Sequence, residues 1–103
     1  VEYFDNLEKG IDSSDVVMML RIQKERIDST ELPSVDDYYQ SFGLTYEKLK
    51  KAKNNVIVMH PGPINRNIEI ESSLADDLSK SVINEQVENG VSVRMACLAM
   101  MVE

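Results

Sequence analysis

Two uninterrupted apolar runs, Val16-Val17-Met18-Met19-Leu20 and Val56-Ile57-Val58-Met59, stand out from a chain otherwise dense in charge. Neither alternates with polar residues, which predicts strands covered on both faces, as in a parallel sheet. Between them Thr45 predicts the N-cap of a helix from Tyr46 to about Lys53. Its lysines gather toward the C-terminal end, where the helix dipole favours positive charge, and read as a solvated face. Asn54-Asn55 then makes the turn into the second run. Strand, helix, strand predicts a βαβ unit with a right-handed parallel crossover.

The flanks are less regular. Val1 to Lys9 reads as a helical end closed by Gly10, with Ile11 to Ser14 a polar connector. Arg21 to Ser34 loses all helical period and reads as a long surface loop; Tyr38, Tyr39, Phe42 and Leu44 form an apolar cluster broken by Gly43. Two prolines and a glycine exclude regular structure from His60 to Asn67, and Ser72 to Asp77 suits a short helical turn. From Ser81 the positions Val82, Ile83, Val87, Val91, Arg94, Leu98 and Met101 keep the helical period through Asn89-Gly90, predicting one long helix. The methionines and Cys97 lie in these apolar segments and read as core filling.

Composition narrows the class. The 103 residues suit one compact domain, and a net charge of -7 disfavours nucleic acid as a partner, which needs a concentrated basic face. No apolar run approaches the ~20 residues that span a bilayer. The lone Cys97 excludes an internal disulfide framework, and an N-terminus without signal-like character points to a reducing, cytoplasmic setting. A chain that opens at Val1 inside an amphipathic segment reads as a piece of a longer protein.

Candidate chemistry follows from the strand ends. In open α/β sheets ligands bind outside the carboxyl ends of strands, so Arg21-Ile22-Gln23 and His60-Pro61-Gly62-Pro63 would face one crevice. Arg21 and Gln23, two apart, point the same way in an extended segment; a guanidinium fork beside a carboxamide suits a small carboxylate. Glu25 would then hold the Arg21 fork, leaving Arg26 to bridge elsewhere; a solvated loop with weak surface ion pairs is the alternative. His60, the only histidine, reads as a hydrogen-bonded framework residue rather than a general base, and it has no neighbouring metal ligand. Gly62 lets a ligand approach the main chain, while Arg66 suits either an acidic ligand or a surface salt bridge. No Gly-rich nucleotide motif or P-loop occurs.

Three segments together carry a resemblance: Leu20-Arg21-Ile22-Gln23-Lys24-Glu25-Arg26, then Met59-His60-Pro61-Gly62-Pro63-Ile64-Asn65-Arg66 with Glu69-Ile70, then Gln86-Val87-Glu88-Asn89-Gly90 through Ala96. In this order they closely resemble the last third of aspartate carbamoyltransferase catalytic chains. The resemblance implies an α/β fold, a partial parallel-sheet sandwich making an incomplete aspartate-binding domain of a two-domain enzyme. Residues 1–103 would form its C-terminal part, with the last helix, about 81–102, packing on a carbamoyl phosphate domain. It further implies transfer of a carbamoyl group from carbamoyl phosphate to L-aspartate in pyrimidine biosynthesis, without cofactor or metal. Arg21 and Gln23 would bind aspartate carboxylates, and Pro61 and Gly62 main chain would meet the carbamoyl amino group. Glu25, Arg26, Pro63 and Arg66 would support them, with Gly62-Pro63 in cis. The family's Ser-Thr-Arg-Thr phosphate loop does not occur here, so these residues alone are expected to be inactive. Homotrimers are the implied assembly, with regulatory or dihydroorotase subunits left open. A transcarbamoylase for another amine acceptor and a non-catalytic assembly module of the same fold remain the alternatives.

Overall fold

A computed structural model describes residues 1–23 and 34–102. Strands β1 (Val16–Met18) and β2 (Ile57–Met59) pair in parallel, with Val16 opposite Ile57, Val17 opposite Val58 and Met18 opposite Met59. The ladder runs past the strands at both ends: the Ile57 N–H donates to the Asp15 carbonyl and the Met19 N–H to the Met59 carbonyl. On the far side of β2, Ser81 bridges in parallel to Val58, satisfying that edge. Both strands therefore deliver their carboxyl ends to the same side, as their sequence order predicts.

Burial across the sheet departs from the expectation of two covered faces. Val17, Met19, Val56 and Val58 are buried, whereas Val16, Met18 and Ile57 are exposed, Met18 by 50%. Strand pleating sends alternate side chains to opposite faces, and the described residues cover only one. The covered face packs on Ile11, Leu44, Leu49, Ala52, Ile70, Leu74, Ala75 and Ile83, which make up one core cluster with the buried strand residues.

The helices revise several expectations. Helix α1 covers Leu7–Ile11 rather than Val1 to Lys9, because Asn6 caps it by accepting the Lys9 N–H. Gly10 lies within it against the Phe4 ring, and Ile11 belongs to the core rather than to a connector. The cluster around Tyr38 and Phe42 is helix α2 (Val35–Phe42), whose apolar positions Val35, Tyr38, Tyr39 and Phe42 follow the helical period. Its start is capped: the Ser34 hydroxyl accepts the Asp37 N–H, and Asp36 and Asp37 sit in the positive first turn.

Thr45 does cap α3 (Tyr46–Leu49), but the helix ends early, passing into tight turns in which Lys51 and Ala52 donate to carbonyls three residues back. Its lysines are not all solvated. Lys48 Nζ donates to the carbonyls of Tyr39, Gln40 and Gly43, closing the C-terminus of α2. Lys53 pairs with Asp15 at 2.8 Å, joining this segment to the start of β1.

Helix α4 (Ser72–Ala75) takes the expected place, and α5 (Ile83–Met101) runs unbroken through Gly90. It begins two residues after Ser81 because Ser81 is spent on the bridge to β2. Beyond Ile83 no side chain of α5 is buried: Val91, Leu98 and Met101 are exposed, as expected of a strip uncovered by these residues. The same exposure corrects the core reading of Met95, Met100, Met101 and Cys97.

Candidate functional site

The site is built at the carboxyl ends of β1 and β2, where regular pairing stops. Past Met19 regular structure stops; Leu20, Arg21 and Gln23 are exposed and Ile22 is half-buried. Past Met59 the chain enters the His60–Asn67 loop, whose Gly62–Pro63 bond is cis and whose Gly62 has φ 69°. A β-carbon at Gly62 would stand 3.2 Å from Val87 Cγ2, so glycine serves both the backbone conformation and the close approach to α5.

Beyond the ladder, a side-chain hydrogen bond joins the two segments that leave the strands. Asn65 Nδ2 donates to the Ile22 carbonyl at 3.0 Å, fixing the Arg21–Gln23 segment beside the cis-proline loop. Sequence reading had placed both segments at one crevice but had not singled out Asn65. Gln86 on α5 adds a second anchor, its Oε1 accepting the His60 N–H at 2.8 Å. Pro61, Gln86, Val87, Gly90 and Arg94 line a cleft of about 210 Å³ along the loop, so the first turns of α5 form a wall.

His60 is a framework residue, as its isolation in the sequence suggests. It is fully buried; Nδ1 accepts the Gly62 N–H at 2.8 Å and Nε2 stands 3.0 Å from Glu69 Oε1. With both ring nitrogens committed, it has none to present as a general base to a substrate. Glu69 is equally buried; the sequence marks it only as part of the family resemblance and assigns it no role. The signal was there: a carboxylate set between Ile68 and Ile70, nine residues from a lone histidine.

Arg66 turns away from the crevice. Its guanidinium grips Asp76 through two bonds of 2.7 and 2.9 Å and also reaches the Ser72 hydroxyl, so the salt-bridge reading describes its contacts. The fork holds the Asp76 carboxyl below its usual range, chiefly through these hydrogen bonds. Glu25 and Arg26 lie outside the described residues. Among the described residues no group of His, Cys, Asp and Glu is arranged to hold a metal ion, and no helix is long and apolar enough to cross a membrane.

A wider open cavity, about 630 Å³, lies among Glu8, Tyr39, Thr45, Glu47, Lys48 and Lys51. Its central cation, Lys48, is already spent on main-chain carbonyls, and partial burial lowers its pKa. Mixed charge and distance from the strand ends leave the crevice as the better site. What this region offers is binding: a cleft lined by Pro61 and Arg94, beside a tethered segment whose Arg21 and Gln23 are exposed. Its chemistry is orientation and charge complementarity rather than proton transfer.

Comparison with known proteins bears on this arrangement. The sequence profile of the family described as "Aspartate/ornithine carbamoyltransferase, Asp/Orn binding domain" matches residues 1–101. An aspartate carbamoyltransferase catalytic subunit of Cereibacter sphaeroides is 58% identical over 97 residues, covering 94% of this chain and 30% of the relative. That of a Jannaschia species is 54% identical over 103 residues, covering 100% of this chain and 33% of the relative. The chain thus spans about a third of the length of these relatives. Among solved structures, aspartate transcarbamoylase from Trypanosoma cruzi with carbamoyl aspartate and phosphate superposes with a TM-score of 0.71 at 28% identity, over 92% of this chain and 28% of that one. Ornithine carbamoyltransferase from Pyrococcus furiosus gives 0.77 at 22% identity, over 91% and 29%, a likeness of fold alone.

Proposed function

Since the chain belongs to the aspartate/ornithine carbamoyltransferase family through its Asp/Orn-binding domain, we propose that it forms the aspartate-binding part of an aspartate carbamoyltransferase. The observation that supports this reading is the Asn65–Ile22 hydrogen bond, which ties the segment carrying Arg21 and Gln23 to the Gly62–Pro63 loop. Arg21 and Gln23 take the aspartate carboxylates, the guanidinium through charge-assisted bonds. Carbonyls of Pro61 and Gly62 accept from the carbamoyl amino group, leaving its carbon open to the aspartate amine. The amine nitrogen bonds to that carbon, the carbon–oxygen bond to phosphate breaks, and the amine proton leaves with the products. Held reactants and matched charge are enough for such a transfer, and no residue of this crevice need form a covalent bond.

The phosphate-binding groups belong, in this reading, to the two thirds of such a chain that lie beyond the matched portion, and α5 packs on that domain. Activity then requires the longer polypeptide, acting as a cytoplasmic trimer in pyrimidine biosynthesis. The test is Arg21→Ala in the full-length chain. Loss of an ionised contact worth ~1.5–3 kcal/mol should raise the KM for aspartate by roughly tenfold to a hundredfold while carbamoyl phosphate affinity stays within about twofold. Equal loss for both substrates would overturn the assignment.

A further inference from the structure

We infer that the buried His60–Glu69 pair is a positioning device that sets the Pro61–Gly62 main chain for the carbamoyl donor; the inference rests on the reading just given. The Gly62 N–H donates to His60 Nδ1 at 2.8 Å, so that nitrogen carries no proton. The imidazole proton therefore sits on Nε2, which donates to Glu69 Oε1 at 3.0 Å. The same Oε1 accepts the Asn65 N–H at 2.7 Å. A single carboxylate oxygen thus anchors the loop at both ends, through the imidazole to Gly62 and directly to Asn65. Asn65 in turn holds the Ile22 carbonyl, so the anchor extends to the Arg21 segment.

Glu69 is itself fixed from the core. Its carbonyl accepts the Leu44 N–H, and Ile70 bridges to both Leu44 and Arg66. Meanwhile no hydrogen bond among the described residues occupies the carbonyls of Pro61 or Gly62. The network ties down the N–H groups of Gly62 and Asn65 and leaves the carbonyls of Pro61 and Gly62 to a ligand.

Energetics point the same way. Both side chains are 0% exposed, and Glu69 Oε2 has no partner among the described residues. Removing such a pair from water is costly, and an apolar pair of similar volume often serves stability as well or better. A device whose value is backbone geometry accounts for that cost; simple core filling does not.

The test uses the full-length chain with His60→Gln, Glu69→Gln and Glu69→Ala. His60→Gln keeps an amide donor within reach of Glu69 but removes the acceptor for the Gly62 N–H. It should weaken carbamoyl phosphate binding ~10-fold or more, since small displacements of a positioning group cost rate and affinity on that scale. The KM for aspartate at saturating carbamoyl phosphate should move less than about threefold. Glu69→Gln keeps an acceptor oxygen and should stay close to wild type, whereas Glu69→Ala should lose at least as much as His60→Gln. If Glu69→Ala does not fold, the contrast between His60→Gln and Glu69→Gln decides. Unchanged carbamoyl phosphate affinity in His60→Gln, or equal loss for both substrates, overturns the inference even where the melting temperature falls. A wild-type chain that forms no carbamoyl aspartate overturns the functional reading and this inference with it.

Discussion

A single methyl group would be felt at Gly43. A β-carbon there would lie 2.5 Å from Tyr39 Cδ2, 2.6 Å from the Tyr39 carbonyl oxygen and 2.9 Å from that of Ile68. Two of these are main-chain atoms that no rotamer change can move aside. The backbone at Gly43 is ordinary, with φ -69°, so the penalty is overpacking rather than strain. Gly43→Ala should therefore destabilise the full-length chain by about 1–3 kcal/mol in denaturant titration, the usual range for extra volume in a packed site. A change within a few tenths of a kcal/mol would show that α2 shifts freely against the turn at Ile68.

At the scale of elements, α3 and α4 are coupled by polar bonds at the surface. Tyr46 Oη donates to Asp77 at 2.7 Å, and the Tyr46 N–H donates to Glu71. The Asp77 carboxylate holds the Tyr46 phenol, whose pKa is pushed up to about 12, chiefly through their hydrogen bond. Against an unfolded value of ~10, the folded state keeps this proton longer. The bond thus contributes stability in full below pH ~10 and loses it as pH rises toward about 12. In absorbance titration, the difference between wild type and Tyr46→Phe should isolate a phenolate transition near 12; one near 10 would show that the bond is not kept. Asp77 has the opposite sign. Hydrogen bonds from Ser79 and then Tyr46 depress its pKa, so its contribution is present above the ordinary carboxylate value and fades as pH falls through the lower folded one.

Over the whole molecule, two apolar surfaces stand open: the outer face of the sheet at Val16, Met18 and Ile57, and α5 from Val87 to Met101. Surfaces of this extent favour association. Residues 1–103 produced alone should sediment as a concentration-dependent mixture of oligomers, and Leu98→Glu, at a position 64% exposed, should shift that mixture toward smaller species without loss of helix signal. A monodisperse monomer at high concentration would contradict this. In the full-length chain the same substitution should lower thermal stability if α5 packs on the neighbouring domain as proposed.

Local chemistry determined a good deal of this protein by itself. The apolar runs dictated parallel strands, Thr45 a helix start, and the prolines around Gly62 a rigid loop at a strand end; each acts over a few residues, so sequence suffices. The cis bond at Pro63 was expected from the motif's resemblance rather than from its composition. Helix α2 was not expected, although Val35, Tyr38, Tyr39 and Phe42 keep the helical period, because Gly43 reads as a break in the cluster whereas it is the C-cap that ends the helix. Only the tertiary structure decided the rest. Glu69 became a buried anchor because Leu44 and Ile70 hold its backbone in the core, and Asn65 became the link between loops because parallel pairing sets Ile22 beside it. Arg66 was taken by Asp76, ten residues away, through the turn of α4. Charge and burial of such groups depend on what the chain folds against them, and that is a property of distant residues meeting, which no local pattern records.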